Sequence, residues 1–324
     1  MESTLYPIRF TPILKDKIWG GSRLRDVLGK NASGKAGESW EISGYGEDIS
    51  VAENGFLAGN SIEELVEVYM GDLVGDRIYE KFGLVFPLLI KFIDAGDLLS
   101  IQVHPDDTLA KAKHNENGKT EMWYIVESEN GELITGFNRE MDEKKYLAHL
   151  RGGTLKEVLN HEQVAKGDIY NMPAGRVHAI GAGVLLAEIQ QTSDLTYRIY
   201  DWGRVDEEGN ARELHTELAL EAIDFQFHPD YKTHYQAIKN NTVTAVDSPY
   251  FTTSVIQLDQ PVEKDFNMID SFVIYMCMEG EVGISYPGGV EKIRKGETIL
   301  IPAELKNLAI VPSEPATLLE VYIK

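Results

Sequence analysis

Two stretches of the chain, far apart, repeat each other. KGDIYNMPAGRVH (166–178) and KGETILIPAELKN (295–307) share Lys-Gly-acid, an alternating strand and Pro-Ala at the same offset. A recurring unit of this size predicts two related β-domains. The surrounding sequence agrees. ELITGF, DIYNMP, TVTAVD, YFTTSVIQL, SFVIYMCM, ETILIP and ATLLEVYI are short β-rich segments separated by turn residues. Many short strands with frequent turns predict a barrel or a sandwich. The 324 residues allow two domains at roughly 150 residues each. We expect the first over 1–234 and the second over 235–324.

Helices are a minority. SIEELVEVYMGDLVG places Ile62, Leu65, Val66, Tyr69, Met70 and Leu73 at helical spacing, with Ser61 and Glu64 as a capping box. TLKEVLNH repeats that signature with Thr154 and Glu157. MDEKKYLAHL and ELALEAIDF also read as helices. Asp106 and Asp107 in HPDD are expected to form a turn and cap TLAKAKH.

The formal net charge of −21 argues against nucleic acid and anionic membrane as partners. An anionic substrate would therefore need basic residues gathered around its site. No apolar run reaches the ~20 residues that span a bilayer, and MESTLYPIRF has neither the basic start nor the long apolar segment of a leader. The single cysteine, Cys277, excludes a disulfide framework and suits a reducing cytoplasm. It is expected to be a buried small hydrophobe.

The two repeats differ at one telling place: the first ends in His178, the second in Asn307, and Gly175 is replaced by Glu304. The first copy can hold a metal and the second cannot. In LLSIQVHPDD, strand alternation puts Ser100, Gln102 and His104 on one face. Glu121 opens the apolar strand of GKTEMWYIV. An imidazole–carboxylate–imidazole set with an added amide oxygen suits a borderline divalent ion. Singly each residue is weak, since a lone strand-end histidine is more often structural. The combination with G-x₅-P-x-G-x-x-H carries the argument.

That combination resembles the cupin superfamily. Gly167, Pro173, Gly175 and His178 match its second motif, while Gln102 stands where many cupins have a first histidine. FPLLIKFIDAGDLLSIQVHPDD, GKTEMWYIV, PAGRVHAIGAG, QQTSDLTYRIYDWGR, KIWGG and GESWEISG together resemble the type I mannose-6-phosphate isomerase family in its shorter bacterial form. The resemblance is specific from about residue 10 to 204 and weaker beyond. It implies two cupin barrels, the second metal-free, and little of the helical insertion of the longer forms. It also implies one Zn²⁺ held by Gln102, His104, Glu121 and His178, and interconversion of mannose 6-phosphate and fructose 6-phosphate through an enediol.

By the same resemblance, Arg198 and Lys119 are catalytic, with Glu188 and Asp194 as acidic residues of the site. Ser100 and Arg204 take the phosphate. Glu188 is favoured over Asp194 as proton carrier because it follows the apolar run GVLLA, where desolvation raises a carboxyl pKa. Asp194 is then left to orient Arg198, and a water on the metal is a rival proton carrier. His114 and His161 read as exposed, and His215, His228 and His234 are assigned no role. The expected state is a cytoplasmic monomer or homodimer with a small sugar phosphate as its partner. Two other classes stay open: an iron or manganese cupin enzyme (an oxygenase or another sugar-phosphate isomerase), and a non-catalytic sugar-phosphate sensor.

Overall fold

The computed structural model describes residues 5–205 and 209–324. The first four residues of the stretch read as lacking a leader lie outside them. The chain is mainly β and forms two barrels of two facing sheets each.

The first barrel has a seven-stranded sheet, ordered Ile13–Gly21, Ala36–Ile42, Leu88–Ala95, Val184–Gln191, Glu121–Ser128, Ile169–Met172 and Lys232–Thr233. Facing it are Tyr197–Tyr200, Ile101–Val103, His178–Ile180, Glu132–Phe137 and Leu159–Gln163. The second barrel pairs a five-stranded sheet (Thr242–Asp247, Thr252–Leu258, Ala316–Tyr322, Val273–Glu279, Thr298–Ile301) with a four-stranded one (Val262–Asp265, Asn307–Pro312, Glu281–Tyr286, Gly289–Arg294). All seven segments read as strands contain one.

The large sheet of the first barrel is buried on both faces. Ile90, Phe92, Met122, Tyr124, Leu185 and Ala187 belong to one hydrophobic cluster with Val255, Ile274, Met276, Leu319 and Val321 of the second barrel. The residues between them, Lys91, Trp123 and Glu188, therefore point into the first barrel. Burial on both sides makes such strands read as unbroken apolar runs, so the few inward polar residues are easily missed. The second barrel thus backs the sheet that carries the polar residues of the first.

Ile62–Val74 is a helix with the expected capping box, Ser61 accepting from the Glu64 N–H. Met70 departs from the expectation: its φ of 47° breaks the helix and leaves its side chain exposed. The following helix, Asp76–Phe82, is anchored at its start by the Asp270 carboxylate, which accepts from the Asp76 and Arg77 N–H groups. TLKEVLNH is not a capped helix. Only a 3₁₀ turn forms over Leu155–Val158, without a side-chain cap, and the chain then enters the strand Leu159–Gln163. Strand pairing with Glu132–Phe137 overrides the local signature. Glu143–Arg151, Thr216–Ala222 and Asp107–His114 are helices as expected, the last capped by Asp106. Cys277 is fully buried, and burial pushes its thiol up to about 12.

The repeats superpose by register. Tyr170 pairs with Trp123 and Met172 with Glu121 in the first barrel, as Ile299 pairs with Tyr275 and Ile301 with Val273 in the second. Val273 therefore stands where Glu121 does. The comparison extends one strand further, since Glu188 pairs with Trp123 and Glu320 with Tyr275. In both barrels the aromatic donates to the acid: Trp123 Nε1 to Glu188 Oε2 at 3.0 Å, Tyr275 Oη to Glu320 Oε2 at 2.5 Å. Glu320 is neutralised by Lys264 at 2.5 Å. The second barrel keeps the inward acid and has an aliphatic where the first has Glu121.

Candidate metal centre and sugar-phosphate cavity

Ile101–Val103 is only three residues long, and its neighbours align the site. Gln102 pairs with His178 on one side and with Arg198 on the other. Cross-strand partners share a face, so these three side chains form a row across the sheet. His104 lies just past the strand end, and the Gly175 N–H, in the turn before His178, donates to its carbonyl at 2.9 Å. Gly175 holds φ of +89° with the Ala222 carbonyl 3.0 Å from where a Cβ would sit, so the turn needs glycine.

His104, Glu121 and His178 are all buried and offer ligand atoms within 4.8 Å of one another. His104 Nε2 lies 3.5 Å from Glu121 Oε2, and His178 Nε2 lies 3.4 Å from Oε1. Each imidazole is fixed through its other nitrogen: His104 Nδ1 donates to the Leu195 carbonyl at 2.7 Å and His178 Nδ1 to the Arg176 carbonyl at 2.8 Å. That leaves both Nε2 lone pairs aimed inward. Both oxygens of Glu121 are buried without a hydrogen-bonding partner. Lys119 Nζ lies 3.1 Å from Oε2 as an ion pair and Oε1 faces His178 Nε2 at 3.4 Å, so Oε1 in particular is left for a further cation. The set fits a divalent ion. Gln102 Nε2 sits 3.3 Å from His178 Nε2, and a half-turn of that amide presents an oxygen at the same place.

Burial holds both histidines neutral. His104 lies well below the ordinary imidazole value, through burial and then Lys119; burial brings His178 down to about 4. The sign for stability follows. An unfolded histidine binds its proton near pH 6.5, whereas the folded His178 resists until about 4. Their contribution is therefore complete above pH 6.5 and is lost as pH falls toward 4. Chelator-treated protein should show a melting temperature that drops across this window, and His178→Asn should flatten part of the drop. A profile unaffected by the substitution would contradict the assignment.

A cavity of about 280 Å³ adjoins this cluster through Gln102 and Lys119, while His104, Glu121 and His178 themselves are not part of its lining. Gln102, Lys119, Glu188, Asp194, Ser100 and Arg198 all line it, so most of the residues named from sequence converge. Lys119 Nζ lies 3.1 Å from Glu121 and 3.3 Å from His104. Burial works against its charge, but Glu121, Glu188 and Asp194 raise its pKa overall. Glu188 is buried, with Lys91 Nζ 3.4 Å from Oε1. Burial, then the Glu121 charge, raises its pKa against the pull of Lys119 and Lys91. Asp194 is half exposed, 3.9 Å from Lys91.

Arg204 is placed differently. It does not line the cavity; its guanidinium bonds the Leu98 carbonyl and Asp201. Sequence reasoning missed four charged residues of the wall. Lys91, on the strand Leu88–Ala95, reads as one charge in a greasy run; it pairs in register with Glu188 and Trp40 and lies 4.8 Å above the Trp40 ring. Glu38 sits beside it, and though burial would raise its pKa, Lys91 and Lys17 bring it down to about 2. Lys17 is the third and Arg212 the fourth. His215, given no role, accepts from the Arg198 backbone N–H through Nδ1 at 3.1 Å and so fixes that strand. Alternation around Lys91 was the one signal that could have found it.

The fold and site define a two-barrel cupin protein in which, among the described residues, only the N-terminal barrel has a set able to hold a metal. The family described as phosphomannose isomerase type I, catalytic domain, matches residues 8–144, and that described as mannose-6-phosphate isomerase, cupin domain, matches 241–314. A mannose-6-phosphate isomerase of Bacillus subtilis is 36% identical over 92% of this chain and 94% of its own. One from Streptococcus mutans is 32% identical over 93% and 94%. The crystal structure of the mannose 6-phosphate isomerase from Bacillus subtilis superposes with a TM-score of 0.88 over 98% of this chain and all of that one, at 32% identity. A variant of phosphomannose isomerase from Salmonella typhimurium, at 17% identity and a TM-score of 0.80, shares the fold. The chain belongs to the type I phosphomannose isomerase family and is an isomerase.

Proposed function

We propose that this chain is a zinc-dependent aldose–ketose isomerase that interconverts mannose 6-phosphate and fructose 6-phosphate. The observation that carries this reading is the buried His104–Glu121–His178 set, whose carboxylate oxygens make no hydrogen bond, beside a cavity lined by acids and cations. Gln102 would complete the ligand set through its amide oxygen. The ion would supply Lewis acidity for the oxygen charge that develops between C1 and C2.

The chain's own residues do the rest. In the open-chain aldose, a base removes the C2 proton while the C1 carbonyl oxygen gains a proton, giving the enediol. Return of the proton to C1 and loss of the O2 proton give the ketose. Glu188 is our base. Its environment raises its pKa without isolating it from the cavity, which suits a group that must both take and return a proton. Lys119 and Arg198 face the same space with permanent charge for developing oxyanions, and Lys119 is placed to assist ring opening. Asp194 lies near enough to Lys91 to hold it. Ser100 is buried at the wall, suited to a phosphate oxygen. Such a substrate, the lone buried Cys277 and the lack, among the described residues, of a helix able to cross a membrane are in keeping with a cytoplasmic enzyme.

The test is a coupled assay following fructose 6-phosphate formation, with and without a chelator. Turnover that is lost with chelator and restored by Zn²⁺ is expected. Binding without turnover would support a sensor, and iron or manganese as the bound metal on mass spectrometry would replace zinc in this reading.

A further inference from the structure

The cavity's cations are not equivalent. Lys17 is paired with Glu38 at 3.1 Å, Lys91 with Glu188 at 3.4 Å and Lys119 with Glu121 at 3.1 Å. Each of those charges is answered by a carboxylate. At one corner the balance fails. Asp201, a buried acid, receives Arg212 through Nε at 2.7 Å and Nη2 at 2.5 Å, and Arg204 through Nη2 at 2.5 Å. Arg198 is the third guanidinium there. Its Nη1 donates only to a backbone carbonyl, that of Glu213, and its Nε is buried without a partner. Among the described residues, three guanidiniums meet one buried carboxylate, with the exposed Glu213 as a weaker, solvent-screened counter-charge on Arg198, so positive charge is in surplus. A phosphate monoester carries about −1.5 to −2 at neutral pH.

The three arginines divide by where their free donors lie. Arg204 spends Nη1 on the Leu98 carbonyl and Nη2 on Asp201; its Nε is buried without a partner, and the residue is absent from the cavity wall. Arg212 is bound side-on, through Nε and Nη2, by the carboxylate that orients it. Unlike Arg204, it lines the cavity together with Arg198 and Ser100.

We propose that Arg212, not Arg204, is the arginine that grips the substrate's phosphate, with Asp201 presenting it and Arg204 bracing Asp201 from behind. The assignment rests on the isomerase reading above and reverses the role that resemblance gave to Arg204. A guanidinium already oriented by a carboxylate loses little freedom when it binds a second anion. Arg212 is therefore a substrate-binding residue and Arg204 a positioning residue.

The experiment uses full-length, zinc-loaded enzyme and compares Arg212→Gln, Arg212→Lys and Arg204→Gln with the natural chain. Arg212→Gln should raise the KM for mannose 6-phosphate and the inhibition constant of inorganic phosphate together, each by about 10- to 100-fold, with kcat within about threefold. Arg212→Lys should recover part of both. Arg204→Gln should raise the phosphate inhibition constant by a smaller factor and lower the melting temperature. An Arg212→Gln enzyme with both constants within twofold of the natural chain overturns the proposal, as does an equal or larger effect from Arg204→Gln. If Arg212→Gln does not fold, the lysine variant decides by the same two constants. If the natural chain lacks isomerase activity, the function proposed above falls, while calorimetric titration of inorganic phosphate into the same variants still decides this assignment.

Discussion

His178→Asn will yield a folded protein that holds no metal in its first barrel and turns over at least about 10³-fold more slowly. The magnitude follows from the several kcal/mol that a Lewis acid supplies to a developing oxyanion, at tenfold per 1.36 kcal/mol. The substitution is chosen from the molecule itself. Asn307 occupies the corresponding place in the second repeat, exposed at the start of its strand. His178 is buried where Asn307 is exposed, so a melting temperature measured beside the assay separates loss of the ligand from loss of the fold. Metal content by mass spectrometry and the coupled assay check both halves of the expectation. A variant with full zinc and near-normal turnover would remove His178 from the site.

Glu188→Gln should lower kcat by about 10²- to 10⁴-fold, the range for loss of a positioned proton carrier, with metal content unchanged. The amide is isosteric and can still accept from Trp123 Nε1, which now bonds Oε2 at 3.0 Å. Packing is thus preserved while the base is lost. The pH profile gives a second reading. Burial and then Glu121 raise the Glu188 pKa, so its ionised form is depleted at a pH where an ordinary carboxylate is still charged. The natural enzyme should lose kcat/KM as pH falls through that raised value, and the residual activity of the glutamine variant should lack this limb. Asp194→Asn should have a smaller effect on kcat, because Asp194, though it lines the cavity, is nearly half exposed and lacks the burial that raises the Glu188 pKa. A larger loss from Asp194→Asn than from Glu188→Gln would exchange their roles.

Legibility in the linear sequence divides along a physical line. Residues held by local geometry can be read. Two-residue alternation puts Gln102 and His104 together, and P-x-G before His178 announces a sharp turn. Lys-Gly-acid marks the repeat. Where tertiary pairing overrides local preference, reading fails. TLKEVLNH carries a capping signature yet feeds a strand, and Met70 sits at helical spacing yet breaks its helix.

Charge is the harder case. Lys91 and Glu188 look like lone charges in apolar strands, because the outer faces of those strands are buried against the second barrel. Arg204 and Arg212 look alike in sequence, and only the path of the chain around Asp201 sends one guanidinium to the wall and the other behind it.

The order of residues along the chain, by itself, determined the β architecture, its duplication and which copy can hold a metal. These depend on periodicity and on side-chain chemistry at fixed offsets. The tertiary structure decided which charges face the cavity and which are cancelled. Electrostatic pairing depends on distances between strands remote in sequence, and no local pattern encodes those distances.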